Sequence, residues 1–368
     1  IIRRMRSNPV NQVETQQEII NLALQGRKNP FPSHRYAHLD DVVFLSAALT
    51  RLVIDPYREA CSTKTRITRT IEIGSVNTKA PRVDLEQPFL FTGFDTAPPH
   101  VKRALARAIS HCGCGYLGQY PLREHTTIDG KSDTWFQLLK PGEAPSSRAD
   151  GIVYIIDKTN LELMNSLDLT PLHPDQLVGL CLDGNSLPRG LSHALSQQLD
   201  LLVLDTTTDM SGTWPELGGH FDLTVIRDTI LRLRSRNMEE EICLINFGGL
   251  RSGTDVAKAL ALNCNASVFG AAMAIAMGGQ IHEGTIVFPD ASAGIDAAPE
   301  LDDKEEAMYQ AAVNWIKGSS QEAAIIARCA GKTNIHNLEP EDIRSISIAT
   351  SEALGIPLTS GAVKRERF

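Results

Sequence analysis

From residue 87 onward the chain alternates short apolar runs with stretches of helical periodicity. The runs lie at 89–91, 115–117, 135–138, 152–156, 177–182, 201–204, 242–247 and 266–269. Several are almost unbroken in Val, Ile and Leu, as expected of strands buried on both faces of a parallel sheet. Helical stretches between them fall at 99–110, 191–198, 225–236 and 254–262. This alternation predicts about eight β–α units and an α/β fold of the TIM (β/α)8 barrel type. A doubly wound open sheet is the alternative with the same local signals.

The flanks differ in texture. Residues 1–84 are rich in Arg, Asn, Gln and Pro and read as a helical and extended N-terminal arm. Within the arm, Asp40-Asp41 ahead of Val42-Val43-Phe44-Leu45 suits a carboxylate-capped helix start. The Thr-rich stretch 62–70 reads as extended. The barrel is expected over 85–295. Residues 296–368 form a C-terminal helical extension, with amphipathic helices at 302–317, 321–330 and 339–354 that pack on the barrel or on a partner.

Composition narrows the function classes. The 368 residues are 42% hydrophobic and 22% charged, which suits a folded chain with a sizeable core. With 36 basic against 44 acidic residues the net charge is −8, so general binding of nucleic acid is disfavoured. The basic stretches at 3–6 and 364–367 read as solvated tails. The seven cysteines contain no CxxC, and the closest pair is Cys112-Gly113-Cys114. That spacing suits neither a zinc site nor an iron–sulfur cluster, and it reads as reduced thiols in a cytoplasmic setting. The most apolar stretch, 257–277, is interrupted by Lys258, Asn263, Asn265 and Ser267, which argues against a membrane span. No leader sequence is visible, and a start at Ile1 leaves room for a longer product.

The strongest chemical signal is a pair of glycine turns. Strand-like 242–247 runs into Gly248-Gly249-Leu250-Arg251-Ser252-Gly253, and strand-like 266–269, ending at Phe269, runs into Gly270-Ala271-Ala272. In a TIM barrel the loops after the last two strands commonly hold a phosphate. Glycines let the backbone approach it, helix N-termini aim N–H groups at it, and Arg251 could add a charged contact. Two tight β–α turns with nothing bound remain the alternative.

Residues 248–270, GGLRSGTDVAKALALNCNASVFG, resemble the FMN phosphate-binding segment of the central domain of glutamate synthase. Further stretches agree. His38-Leu39-Asp40-Asp41-Val42-Val43-Phe44-Leu45, with Leu49-Thr50-Arg51 and Tyr57-Arg58-Glu59, is similar to that family's entry to the barrel. Lys140-Pro141-Gly142-Glu143 matches the start of its KPGEGG loop, and the stretch from Ala330 to Asp342 matches its C-terminal region. The resemblance implies reduction of an imine of 2-oxoglutarate to glutamate, or to an N-substituted glutamate, on FMN. It implies a glutaminase chain and other glutamate synthase-like subunits as partners, and a homo- or hetero-oligomer. FMN-binding residues carried over are Gly93, Gly248, Gly249, Leu250, Arg251, Ser252, Gly253, Phe269, Gly270 and Ala271. Lys140, Glu143 and Asp209 are the candidate catalytic residues.

The departures from the family fall on the reacting side of the flavin. Its TGEGG stretch reads Leu117-Gly118-Gln119-Tyr120-Pro121, and KPGEGG continues as Ala144-Pro145. Its VKLV strand reads Val178-Gly179-Leu180-Cys181, so the flavin-contacting Lys is replaced by Gly179. Its GHDGGTGA loop reads Thr206-Thr207-Thr208-Asp209-Met210-Ser211-Gly212-Thr213. The cysteine cluster expected after Gly279 is replaced by Gln280-Ile281-His282-Glu283-Gly284. A flavin reductase stabilises negative charge on the ring, which Gly179 cannot do. Phe94, Tyr120 and Trp214 are large enough to crowd the ring's space. Lys140, Arg148, Arg123 and Arg251 are the cations available to a dicarboxylate. An eroded family member, acting as a structural or regulatory subunit, is therefore the alternative. His111, His220, His282, Lys332 and His336 read as structural, and Asp205 as a solvated strand-end carboxylate or an acid–base group.

Overall fold

The computed structural model describes residues 37–47, 58–68, 81–123, 133–207, 209–219, 221–239, 241–288 and 298–360. Most of the N-terminal arm, Leu49-Thr50-Arg51, Tyr57, His220 and the basic tails lie outside the described residues.

Eight parallel strands close into a barrel. They are β1 (Phe89–Phe91), β2 (Gly115–Gly118), β3 (Thr134–Leu139), β4 (Gly151–Ile156), β5 (Leu177–Leu182), β6 (Leu201–Asp205), β7 (Cys243–Phe247) and β8 (Ala266–Phe269). Each corresponds to one predicted apolar run. The seam between β8 and β1, with Val268 opposite Leu90, rules out the open sheet. Leu90, Phe136, Val153, Leu177, Leu201, Val203, Ile245 and Val268 fill the interior, as alternate residues of a closed barrel must. An antiparallel pair, Thr65–Thr68 with Arg82–Leu85, covers the amino-terminal mouth and adds Ile67 and Leu85 to that core. This matches the extended reading of 62–70.

Among the described residues the helical layer is thinner than strict alternation would give. Helices α1 (Pro99–Cys112), α2 (Leu187–Ser196), α3 (Thr224–Arg234), α4 (Gly253–Ala261) and α5 (Ala271–Ala276) follow β1, β5, β6, β7 and β8. After β4 there is only a short 3-10 turn, Leu161–Ser166.

Three sequence expectations on the flanks are corrected. Asp40 and Asp41 belong to a 3-10 turn, and Val42–Phe44 is a strand paired antiparallel to Ile343–Ser345 rather than a helix. Asp41 accepts hydrogen bonds from Ser347 (2.6 Å) and Thr350 (3.0 Å), contacts across the whole chain that local periodicity cannot encode. The predicted helices at 302–317 and 321–330 are one helix, α6 (Ala298–Cys329), running straight through Gly318-Ser319-Ser320. It lies in the groove between α1 and α4, where packing outweighs the weak helix propensity of Gly and Ser. Arg103 and Arg107 of α1 pair with Glu305 and Glu306, both at 2.7 Å. Residues 339–354 hold a 3-10 turn, that edge strand and a short helix, α7 (Ile348–Leu354), in place of one long helix.

Candidate functional site

The candidate site is at the carboxyl rim, where the loops after β1, β2, β3 and β6 meet. A cavity of about 240 Å³ opens there. Its lining includes Thr92, Gly93, Asp95, Gln119, Lys140, Glu143, Trp214 and Glu216. Of the residues named from sequence, the fold brings Gly93, Lys140 and Glu143 to this cavity. Asp209 sits beside it in a smaller cleft with Asp183 and Asp205.

Short polar bonds shape the rim. Glu143 accepts from the Lys140 backbone N–H (2.7 Å) and from the Gln119 amide (3.1 Å), tying the β2 and β3 loops together. Asp95 accepts from the backbone N–H groups of Gln119 (3.0 Å) and Tyr120 (3.1 Å). Lys140 is the one cationic residue among the described lining residues, which also include the acidic Asp95, Glu143 and Glu216. Arg123 is held by Asp133 at 2.6 Å, and Arg148 does not line the cavity.

The loop after β6 fills much of the barrel mouth. Its neck is pinned where the Asp222 N–H donates to the Thr206 carbonyl at 2.8 Å. Asp205, 3% exposed at the strand end, accepts from the N–H groups of Thr207 and Met210, both at 2.8 Å. Burial pushes its carboxyl above the ordinary range, against these bonds. Asp205 is thus a buried anchor of the loop, not a solvated group. Further along, Trp214 adopts a left-handed conformation (φ 55°) and is 5% exposed. Its ring meets Phe94 edge-on, with centroids 5.3 Å apart.

Glu216 occupies the second glycine turn. Its Oε1 accepts the backbone N–H groups of Gly270 (2.8 Å) and Ala271 (3.0 Å), the pair that opens α5. Its Oε2 is buried without a hydrogen-bond partner among the described residues. Burial pushes the carboxyl up, its own backbone N–H and those of Ala271 and Gly270 pull it down, and the nearby Asp205 charge raises it further. A β-carbon on Gly270 would come within 2.5 Å of Oε1, so the fit is close.

The first glycine turn is occupied as well. Gly248 and Gly249 take φ values of 103° and 71°, which favour glycine, and the Phe221 ring covers both. Leu250 is in the core. Arg251, carried over as a phosphate ligand, holds Asp255 (2.8 Å) and Asp40 instead. Ser252 caps α4 through the Thr254 N–H, and Gly253 lets α4 approach the backbone of Ser319 in α6. Phe269 points outward and packs edge-on against Trp315, with centroids 4.8 Å apart. None of residues 248–253 lines the rim cavity.

The residues read as structural have structural surroundings. His111 lies beside Tyr309 and Lys317 on the α1–α6 face, and Lys332 pairs with Glu339 (3.2 Å) and Asp342 (3.3 Å). His336 meets the Thr65 hydroxyl at 2.9 Å. Among the described residues no group of His, Cys, Asp and Glu is arranged to hold a metal, and no helix is long and apolar enough to cross a membrane. Glu216 was missed by sequence reasoning. Nothing in Trp214-Pro215-Glu216-Leu217 says which distant N–H groups its carboxylate reaches.

Comparison with known proteins now adds to the geometry. Residues 219–333, which hold both glycine turns and all of α6, match the family model described as a conserved region in glutamate synthase. Over that stretch the chain is similar to glutamate synthase. It is 25% identical over 398 residues to a glutamate synthase large subunit-like protein of Rhizobium meliloti (strain 1021), covering 87% of each chain. Among solved structures it is similar to a pyruvate-bound mutant of flavocytochrome b2, with a TM-score of 0.51, 13% identity and coverage of 92% of this chain and 83% of that one. A sulfite-bound flavocytochrome b2 also gives 0.51, at 14% identity, over 89% of this chain and 80% of that one. The chain thus shares the (β/α)8 fold of these flavocytochromes.

Proposed function

We propose that this chain is a glutamate synthase-like barrel of the flavin-oxidoreductase class that serves as a structural or regulatory subunit beside a catalytic relative. The glutamate synthase region and the flavocytochrome-type barrel support the class. One observation carries the subunit reading. The loops after β1 and β6 touch each other at the rim, with Trp214 laid on Gly93. The cavity left beside them, about 240 Å³, is below the roughly 300–1,000 Å³ usual for ligand pockets.

The residues present do not fit FMN. The N–H pair of Gly270 and Ala271 is taken by Glu216, and Arg251 is engaged elsewhere. At Gly179 a side chain of any kind would run into Leu201, so β5 offers no cation to a reduced ring. A dicarboxylate such as 2-oxoglutarate needs convergent cationic donors, and Lys140 stands among three carboxylates. The partners on this reading are a glutaminase chain and a flavin-bearing glutamate synthase-like chain.

A second reading, an FMN-dependent enzyme forming glutamate or an N-substituted glutamate, is favoured by the opening of that cavity at the carboxyl rim with Lys140 and Glu143 in its wall. Affinity isolation from the native source, with a visible spectrum of the purified chain, separates the two. The subunit reading expects a colourless chain that stays so with added FMN and is recovered with catalytic companions. A bound chromophore absorbing near ~450 nm, as oxidised flavin does, would replace it with the second reading.

A further inference from the structure

We infer that Glu216 is a built-in occupant of an oxyanion seat: its carboxylate stands in for a phosphate group on the backbone N–H groups of Gly270 and Ala271, and without it the seat accepts a free oxyanion.

Two observations carry this independently. The first is the donor geometry. One carboxylate oxygen takes both N–H groups, at 2.8 and 3.0 Å, as one oxygen of a phosphate would. The second is the unsatisfied atom. Glu216 is 6% exposed, yet Oε2 has no hydrogen-bond partner among the described residues. The side-chain hydrogen bonds of Glu216 among the described residues go to the N–H groups of Gly270 and Ala271, so the seat is what holds this carboxylate. An anion surrogate needs only to fill the seat, and the Gly270 Cα, with no room for a β-carbon, closes against it. Since α5 spans only Ala271–Ala276, its N-terminus alone would not make a site. The buried Glu216 side chain, aimed at those two N–H groups, marks the seat.

Occupancy from within has a consequence for specificity. A tethered carboxylate competes at very high effective concentration, so a free phosphate monoester is excluded from the intact protein. Removing the side chain leaves two buried N–H groups without a partner and an unfilled hollow, a combination that favours a small oxyanion.

The test uses inorganic phosphate and the full chain. Thermal midpoints of wild type, Glu216→Ala and Glu216→Gln are read in phosphate and in potassium chloride of equal ionic strength. Wild type and Glu216→Gln, which keeps an acceptor oxygen on the seat, should show no phosphate-specific shift. Glu216→Ala should melt lower and recover by at least about 3 °C in ~50 mM phosphate. Equal phosphate shifts in all three proteins, or none in Glu216→Ala, would overturn the inference. If Glu216→Ala does not fold, amide NMR of the other two decides: Gly270 and Ala271 resonances must move between wild type and Glu216→Gln, and unmoved resonances sink it. The inference deepens the subunit reading and rests on it for the absence of flavin. The two still fail separately. Phosphate entering wild-type protein removes the surrogate alone, whereas recovery of the chain without companions removes the subunit role alone.

Discussion

Trp214 lies on Gly93 so closely that a β-carbon on Gly93 would come within 2.8 Å of the indole. Gly93 also holds φ at 86°, where other residues are strained. Gly93→Ala should therefore cost about 1–3 kcal/mol, from strain and overpacking together. Trp214→Ala should cost about 3–5 kcal/mol, because the 5% exposed indole leaves a cavity. Urea denaturation checks both. Little change in either variant would mean that the β1 and β6 loops do not rest on each other in solution.

Glu216 should give stability a characteristic pH dependence. Its folded carboxyl is raised above the ordinary glutamate value of 4.5, chiefly by burial. In the window above 4.5 the unfolded chain has released its proton while the folded one still holds it. The folded state binds more protons there, so this group's contribution to stability falls as pH rises. The stability of Glu216→Gln relative to wild type should thus increase with pH through that window and then level off. Asp205, also raised, is present in both proteins, so their difference reports Glu216 together with its coupling to Asp205. Parallel denaturation profiles between about pH 4 and about pH 8 would show that the carboxyl titrates normally.

Arg251 is placed to hold structure rather than a ligand. Its guanidinium bridges Asp255, 1% exposed, to Asp40 of the N-terminal turn. Arg251→Ala leaves Asp255 with Lys258 at 3.7 Å as its remaining cation among the ion pairs described here. The expected loss is on the order of 3 kcal/mol, as for a broken buried pair. Phosphate should not restore it. A variant of full stability, or one rescued by phosphate, would return Arg251 to anion binding.

Gly179 has no room to regain the lysine of the family motif. Its neighbour Leu201 meets any added β-carbon with both carbonyl and side chain. Gly179→Ala alone should destabilise by about 1–3 kcal/mol, and Gly179→Lys by more. The same denaturation assay reads this. A Lys variant that folds normally and binds FMN would argue that only the missing cation keeps flavin from this barrel.

The eight barrel strands were legible in the sequence because each is a local apolar run, and burial on both faces leaves a continuous signal. The glycine turns and the glutamate synthase-like segments were legible for the same local reason. Where the sequence misled, the deciding contacts were remote. Val42–Phe44 became a strand because Ile343–Ser345 lies beside it, and α6 ran through Gly318 because α1 and α4 support it on either side. The site followed the same rule. Glycines at 248, 249 and 270 announce backbone that something can approach closely, but not what approaches. That was decided by the loop after β6, which lays Phe221 over one turn and Glu216 on the other. Periodicity and turn chemistry act over a few residues, whereas a carboxylate reaching amides 54 and 55 positions away is set only when the barrel closes and brings its loops to one rim.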